Sequence, residues 1–202
     1  MSQQAFRMNH NKTWKLGFVG PSGSGKDFVA DAISARVMSA ESIRFAEPLY
    51  KCLHSVRQIL WNKSVIENQQ PHDEWSRKFM QWIGTDWARQ QDLDVFVRQA
   101  ESLITTLLSQ KETPGLITVP DVRFPNEAGM LRKHGFKLVY VNRAPKDKDA
   151  PWRSHESETS LLASDCDFVF HNQIPSNMHE LLACCEIWFS DEPQMCQNET
   201  SS

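Results

Sequence analysis

The sequence has no excess of positive charge, no long apolar run, and no repeated or low-complexity segment. Its 202 residues carry a formal net charge of −3, which gives no global attraction to nucleic acid or to an anionic membrane, although a local basic site stays open. No stretch approaches the roughly 20 apolar residues of a membrane span, and residues 1–12 contain no signal-peptide core. We therefore expect a cytoplasmic protein whose partners include no membrane and no nucleic-acid polymer.

The cysteines also lack a pattern. Five are present, an odd number, and none shows the C-x-x-C or Cys/His spacing of a zinc site. This usage is typical of a protein in a reducing compartment. The length, with 40% hydrophobic residues, predicts one globular domain with a sizeable core.

Short apolar strands alternate with helical segments along the chain. Strands are predicted at 13–19, 42–45, 116–120, 137–142 and 167–171. The alternation favours a mostly parallel sheet covered by helices on both faces, a three-layer α/β/α fold. Residues 46–115 are too long for an ordinary crossover and look mostly helical, so we interpret them as a substrate-binding insertion. The domain is expected to span 13–190, between mobile ends at 1–12 and 191–202.

Two helix starts are predicted from capping residues. Asn126 is a candidate N-cap for a helix that runs to about His134, where Gly135 would take the left-handed position after the helix. Ser176 is the candidate cap of the last helix, whose apolar stripe predicts packing on the sheet.

Residues 20–27, GPSGSGKD, fit the motif G-x-x-x-x-G-K and stand between a predicted strand and a predicted helix. Glycines let the backbone wrap closely around phosphate oxygens, while successive N–H groups and the helix N-terminus supply partial positive charge. The alternative is a Gly/Ser-rich connection with an accidental lysine. We predict an ATP-binding loop made of Gly20, Ser22, Gly23, Ser24, Gly25, Lys26 and Asp27.

Two carboxylates are candidate Mg²⁺ ligands. Asp27 stands where P-loop proteins usually carry the Ser/Thr that binds this ion. It can bind Mg²⁺ directly or through water, or it can simply stabilise the positive end of the helix. Asp121 ends the apolar run 116–120, a pattern typical of a Walker B strand but also common in loops and caps.

Arginines follow two of the predicted strands at their carboxyl ends. In open α/β sheets ligands gather at this edge, so we expect Arg123 and Arg143 to approach Lys26 and to act with it in catalysis. The planar guanidinium group suits the task because it contacts two phosphate oxygens and stays charged. The alternative for each arginine is a solvated surface charge.

Several segments together resemble the deoxynucleoside monophosphate (dNMP) kinases of bacteriophages and their relatives. They are GPSGSGKD (20–27), RFAEPLY (44–50), GTDWAR (84–89), PDVRFPNEAGMLRKHGF (120–136), VNR (141–143) and HESE (155–158). The resemblance runs from about residue 14 to 190 and implies a P-loop NTPase fold that transfers phosphate from ATP to a dNMP, with Mg²⁺. If a phage encodes the chain, its compartment is the host cytoplasm. Whether it forms a homodimer stays open.

The resemblance also implies the residues that bind the acceptor nucleotide. They are Phe45, Thr85, Asp86, Arg89, Arg123, Glu127, Arg153, His155 and Glu158. The last three would lie on a lid at about 144–158, and Phe96 stands where the resemblance implies a tryptophan. Phe45 can instead be a core residue, Thr85 and Asp86 can terminate a helix, and His155 can be an exposed loop residue.

A phosphate acceptor is already ionised near neutral pH, so the transfer needs alignment and charge stabilisation more than a strong base. The nearest rival is a phosphomevalonate-kinase-like enzyme, because that animal family also resembles GKDFV (25–29) and E-S-E (156–158). GTDWAR and PDVRFPNEA favour the nucleotide. A second rival is an ATP-binding switch without a small acceptor, and a nucleic-acid-binding module fits the acidic balance poorly.

Overall fold

The computed structural model describes residues 12–62, 73–143, 160–173 and 177–189. Its strands are β1 (Trp14–Val19), β2 (Ala40–Ser42), β3 (Leu116–Val119), β4 (Lys137–Asn142) and β5 (Phe168–His171). They form a five-stranded sheet in the order β2-β3-β1-β4-β5, and every pairing is parallel. β1 lies at the centre, with Leu16 opposite Thr118 on one side and Lys137 on the other.

Helices connect these strands. They are α1 (Lys26–Ser34), α2 (Glu47–Trp61), α3 (Glu74–Gln81), α4 (Arg89–Gln91), α5 (Val95–Ser109), α6 (Pro125–Lys133) and α7 (Met178–Trp188). A π-helical turn, Trp82–Ala88, joins α3 to α4, and a 3₁₀ turn, Ala163–Asp165, precedes β5. No helix among the described residues is both long and apolar enough to cross a bilayer.

Helices cover both faces of the sheet, because successive side chains of each strand enter different apolar cores. On one face Phe18 of β1 packs in a core with residues of α1 and with Leu181 of α7. On the opposite face Ile117 of β3 shares a core with Ile104 of α5 and Leu131 of α6. The predicted three-layer α/β/α fold is confirmed, and so is the packing of the last helix on the sheet.

One predicted strand is wrong in its position. We expected 42–45, but β2 ends at Ser42 and the chain turns at Phe45 and Ala46. The N–H groups of these two residues donate to the carboxylate of Asp121 at 3.1 and 2.9 Å, so they are not available to a strand. The other four strands agree with the sequence to within one residue at each end.

The predicted cap of α6 is also wrong. The N-cap residue is Phe124, and the carboxylate of Glu127 accepts a hydrogen bond of 3.0 Å from its N–H group. Asn126 lies inside the helix, and its side-chain amide instead donates to the carbonyl of Leu93 and to Asp94. Tertiary partners therefore replaced the local capping bond that the sequence suggested.

Of the remaining boundary predictions, the one at Gly135 falls on a described residue and the others do not. Gly135 has the expected left-handed backbone, with a φ of 77°. Ser176, the tail 191–202, the lid at 144–158 and, apart from Lys12, the N-terminal end all lie outside the described residues.

The insertion is mostly helical, as predicted, and contains α2 to α5. Asp73 caps α3: its carboxylate accepts hydrogen bonds of 2.8 Å from both the N–H and the hydroxyl of Ser76, and it pairs with Arg57 at 2.7 Å. The side-chain bond from Ser76, the backbone bond and Arg57 lower the pKa of Asp73 to about 2. The cap joins α3 to α2.

We expect Asp73→Ala to lower the free energy of unfolding by about 1 kcal/mol, because the start of α3 loses its cap. Glu74→Ala is the matched control: its ion pair with Lys78 is exposed and is worth only about 0.3 kcal/mol. Urea unfolding measures both. Since the pKa of Asp73 is lowered on folding, the contribution of the cap is present above the ordinary value of 3.8 and is lost as the pH falls through about 2. Equal losses from the two variants would contradict the capping role.

Candidate active site

The phosphate-binding loop joins β1 to α1, and its glycines adopt backbone angles that other residues avoid. Gly20, Gly23 and Gly25 have φ values of 137°, 78° and 93°. A Cβ atom at Gly20 would lie 2.5 Å from the carbonyl oxygen of Val141, and one at Gly25 would lie 2.2 Å from Nδ2 of Asn172. The close approach of the β4 backbone therefore requires glycine at Gly20, while at Gly25 the Asn172 side chain can move and the positive φ is what favours glycine.

The polar groups of the loop fit a phosphate ligand. Lys26 opens α1 and its Nζ donates to the carbonyl oxygens of Gly20 and Pro21 at 2.6 and 3.0 Å. Nδ2 of Asn172 donates to the carbonyl of Ser24 at 2.7 Å. The Ser24 side chain is buried, and its Oγ has no hydrogen-bond partner among the described residues. An unsatisfied buried hydroxyl costs about 1–3 kcal/mol, and a phosphate oxygen would accept its hydrogen bond.

The two predicted metal ligands are both held by the segment 44–46. Oδ1 of Asp27 lies 2.6 Å from Nη1 of Arg44. The two carboxylate oxygens of Asp121 accept from the N–H groups of Phe45 and Ala46, as described above. Burial raises the pKa of Asp121, while these two N–H groups oppose the rise. The carboxylate therefore has compensation for its burial.

No group of three or more His, Cys, Asp or Glu side chains with metal-binding geometry occurs among the described residues. Mg²⁺ in phosphotransfer sites is commonly held by one or two carboxylates together with phosphate oxygens and water. Asp27 and Asp121 provide hard oxygen ligands of that kind.

A cleft of about 900 Å³, including its open mouth, lies between the loop and the helical insertion. The structure brings seven of the residues chosen from the sequence into its lining. They are Ser22, Phe45, Thr85, Arg89, Asp121, Arg123 and Glu127.

Arg89 is held rigidly in this cleft. Its Nη2 donates to Oε1 of Glu127 at 2.6 Å, and its guanidinium lies 4.1 Å from the ring centre of Phe124 and 4.9 Å from that of Phe96. Oε2 of Glu127 accepts from the N–H groups of Arg123 and Phe124 at 2.7 and 3.0 Å. Burial raises the pKa of Glu127 to about 7, against the opposing effect of Arg89. Glu127 thus binds protein groups and fixes the arginine.

Several lining residues were not found from the sequence. Arg77 of α3 lies with its Nη1 3.5 Å from Oγ of Ser22, a contact between the insertion and the loop. Tyr50 of α2 and Gln81 of α3 also line the cleft. In the sequence Arg77 is one half of an Arg-Lys pair in a charged helix, and only the folding of α3 over the loop distinguishes it from Lys78.

Other predicted site residues are not brought together with these. Asp86 and Arg143 are exposed and do not line the cleft. Asp86 lies in the π-helical turn next to Thr85, which does line it, so the two neighbours face different surroundings. Arg153, His155 and Glu158 lie outside the described residues, and the roles of all five stay predictions.

A parallel α/β/α fold with a P-loop beside an arginine-lined cleft defines a P-loop kinase. The chain belongs to the deoxynucleotide monophosphate kinase family, whose sequence model matches residues 54–182. A protein of Acanthamoeba polyphaga mimivirus with the provisional name deoxynucleotide monophosphate kinase is 26% identical over 187 residues, which cover 85% of this chain and 95% of that protein. A mutant of the Mycobacterium tuberculosis APS kinase aligns structurally over 87% of this chain and 98% of its own, at 16% identity and a TM-score of 0.41. The resemblance and the phosphotransferase class read from the sequence are confirmed.

We expect Glu127→Gln to lower the free energy of unfolding by about 3 kcal/mol, because it leaves the buried Arg89 cation without its anion. Arg89→Met should cost less, since an unpaired buried carboxyl group takes up a proton and becomes neutral, whereas arginine stays charged. Urea unfolding at a pH above the pKa of Glu127, where its carboxylate is ionised, measures both.

Glu101→Gln serves as the matched control, because Glu101 pairs at 3.0 Å with the partly exposed His134. Its cost should be below about 1 kcal/mol. The buried pair would not be a determinant of stability if Glu127→Gln cost no more than this control.

Proposed function

We propose that the chain transfers the γ-phosphoryl group of ATP to the phosphate of a deoxynucleoside monophosphate, giving the diphosphate and ADP. The observation that carries the proposal is the position of the arginine-lined cleft directly beside the phosphate-binding loop, in a chain of the deoxynucleotide monophosphate kinase family. A cleft in this position would bring the acceptor phosphate next to the donor phosphates, and its arginines would offset the repulsion between these anions.

The loop would hold the donor phosphates. Lys26 would exchange the carbonyl oxygens of Gly20 and Pro21 for phosphate oxygens, which are stronger partners for an ammonium group because they are charged. The N–H groups of the loop and the Ser24 hydroxyl would add hydrogen bonds. Mg²⁺, when bound, would neutralise charge on the donor phosphates, and Asp27 and Asp121 are the residues proposed to hold it.

The cleft would hold the acceptor. Arg89, fixed by Glu127, and Arg123, whose backbone is fixed by the same carboxylate, are proposed to contact the acceptor nucleotide. Thr85 and Phe45 would line its remaining surface. Burial raises the pKa of Tyr50, so its phenol stays protonated at neutral pH and would donate a hydrogen bond within the cleft.

Arg77 is proposed to span the donor and acceptor phosphates. It lines the cleft and also lies near Ser22 of the loop, so that one guanidinium fork would contact oxygens on both sides of the transferred group. The sequence instead suggested Arg123 and Arg143 as the catalytic arginines. Arg77 has stronger support from geometry.

The test is an ADP-release assay with Mg·ATP against a panel of dNMPs, ribonucleoside monophosphates and phosphomevalonate, with products identified by chromatography. We expect a deoxynucleoside diphosphate as product. Phosphorylated phosphomevalonate would point to the rival kinase. ADP release that is independent of every acceptor would instead support an ATP-binding switch.

We expect Lys26→Ala to lower kcat/KM for the transfer at least about 100-fold, because the charge that develops on the transferred phosphoryl group loses its main cation. Lys51→Ala is the matched control, since Lys51 lies on the exposed side of α2 and pairs only loosely with Glu47 at 3.7 Å. Steady-state kinetics measures both variants. Full activity in Lys26→Ala would overturn the assignment of the loop.

We expect Arg77→Ala to lower kcat about 100-fold with a smaller change in KM for ATP, because a bridging group acts mainly in the transition state. The neighbouring Lys78→Ala removes an exposed cation from the same helix and should leave kcat unchanged. The bridging role is wrong if the two variants have the same kcat.

A further inference from the structure

Asp27 brings a negative charge into the first turn of α1, directly after the lysine of the phosphate-binding loop. P-loop proteins usually carry a neutral Ser or Thr at this position. A carboxylate repels a bound triphosphate electrostatically, and its side chain is partly buried, so water screens the charge only in part. Binding of a triphosphate therefore requires a nearby positive charge that reduces this repulsion.

Arg44 is in contact with this carboxylate. Its Nη1 lies 2.6 Å from Oδ1 of Asp27, and only 25% of its side chain is exposed. Arg44 lies just beyond the carboxyl end of β2. Because the strands are parallel, this end lies on the same side of the sheet as the loop, which follows β1. An arginine side chain stays protonated at neutral pH, so the cation is permanent.

The backbone next to Arg44 is anchored independently. The N–H groups of the two following residues, Phe45 and Ala46, donate to the buried carboxylate of Asp121. The backbone at Arg44 is therefore placed by the end of β3, independently of the ion pair that its side chain makes. The Arg44 cation therefore lies in position to act on Asp27 before a nucleotide binds.

We infer that Arg44 is a positioning residue for nucleotide binding: its guanidinium neutralises Asp27 and thereby lets a triphosphate occupy a loop that carries an acid in place of Ser/Thr. The inference rests on the proposed function only through the binding of ATP to this loop. It assigns Arg44 an action through Asp27 and no contact with the nucleotide. It concerns nucleotide binding without the metal and leaves the proposed role of Asp27 in holding Mg²⁺ unchanged.

The experiment is a double-mutant cycle on binding, without turnover. The affinity for ATP is measured by isothermal titration calorimetry in EDTA, and again with Mg²⁺, for wild type, Arg44→Gln, Asp27→Asn and the double variant. We expect Arg44→Gln to weaken metal-free ATP binding about tenfold in the wild-type background, equivalent to about 1.4 kcal/mol. In the Asp27→Asn background the same substitution should weaken binding by a clearly smaller factor, because it then removes only the direct attraction of the guanidinium for the triphosphate and frees no carboxylate to approach the phosphates.

Arg98→Gln is the matched control, because Arg98 forms an exposed ion pair with Asp92 on the insertion. It should leave ATP affinity unchanged, and thermal unfolding of each variant checks that it is folded. An equal loss from Arg44→Gln in both backgrounds would mean that Arg44 acts on the nucleotide directly and not through Asp27, which overturns the inference. If Asp27→Asn does not tighten metal-free ATP binding in the Arg44→Gln background, Asp27 does not repel the nucleotide, which overturns the inference as well.

Failure of the proposed function gives a different result. In that case wild type binds no ATP with or without Mg²⁺, and both proposals fall together. If wild type binds ATP and phosphorylates a dNMP while the cycle shows no coupling between Arg44 and Asp27, the function stands and only the inference is wrong.

Discussion

The arrangement of the site depends on the hydrogen bonds from the N–H groups of Phe45 and Ala46 to the carboxylate of Asp121. Asp121 is buried at the end of β3, where an ionised group without donors would be costly. Satisfying it turns the chain sharply after β2 and starts α2 at Glu47. Because of this turn, the insertion begins beside the phosphate-binding loop, and the cleft forms between them.

A second carboxylate organises the other side of the cleft in the same way. The Glu127 carboxylate accepts hydrogen bonds from the guanidinium of Arg89 and from two backbone N–H groups. One buried acid therefore holds the arginine, the turn after β3 and the start of α6. Local ion pairs on the surface would not have this effect, since water competes for them. Arg89 therefore faces the cleft from a position that its buried partner holds.

Local patterns predicted the elements whose determinants lie close together in the chain. The glycines and Lys26 of the loop, the four strands 13–19, 116–120, 137–142 and 167–171 and the left-handed Gly135 all follow from a few neighbouring residues. The prediction was wrong where a distant partner competed with a local preference. Asn126 bonds to Leu93 and Asp94 rather than capping α6, and the segment expected as a strand up to Phe45 gives its N–H groups to Asp121.

The sequence by itself determined the class of fold, the phosphate-binding loop and the family, because each depends on local patterns and on their order along the chain, which are readable without tertiary contacts. Only the tertiary structure decided which charged side chains share the cleft. Arg77 reaches Ser22 across 55 positions of sequence, and Arg44 pairs with Asp27 from a different strand connection. Such contacts depend on how the insertion packs over the sheet, and the hydrophobic periodicity of a helix does not specify where its polar side chains end.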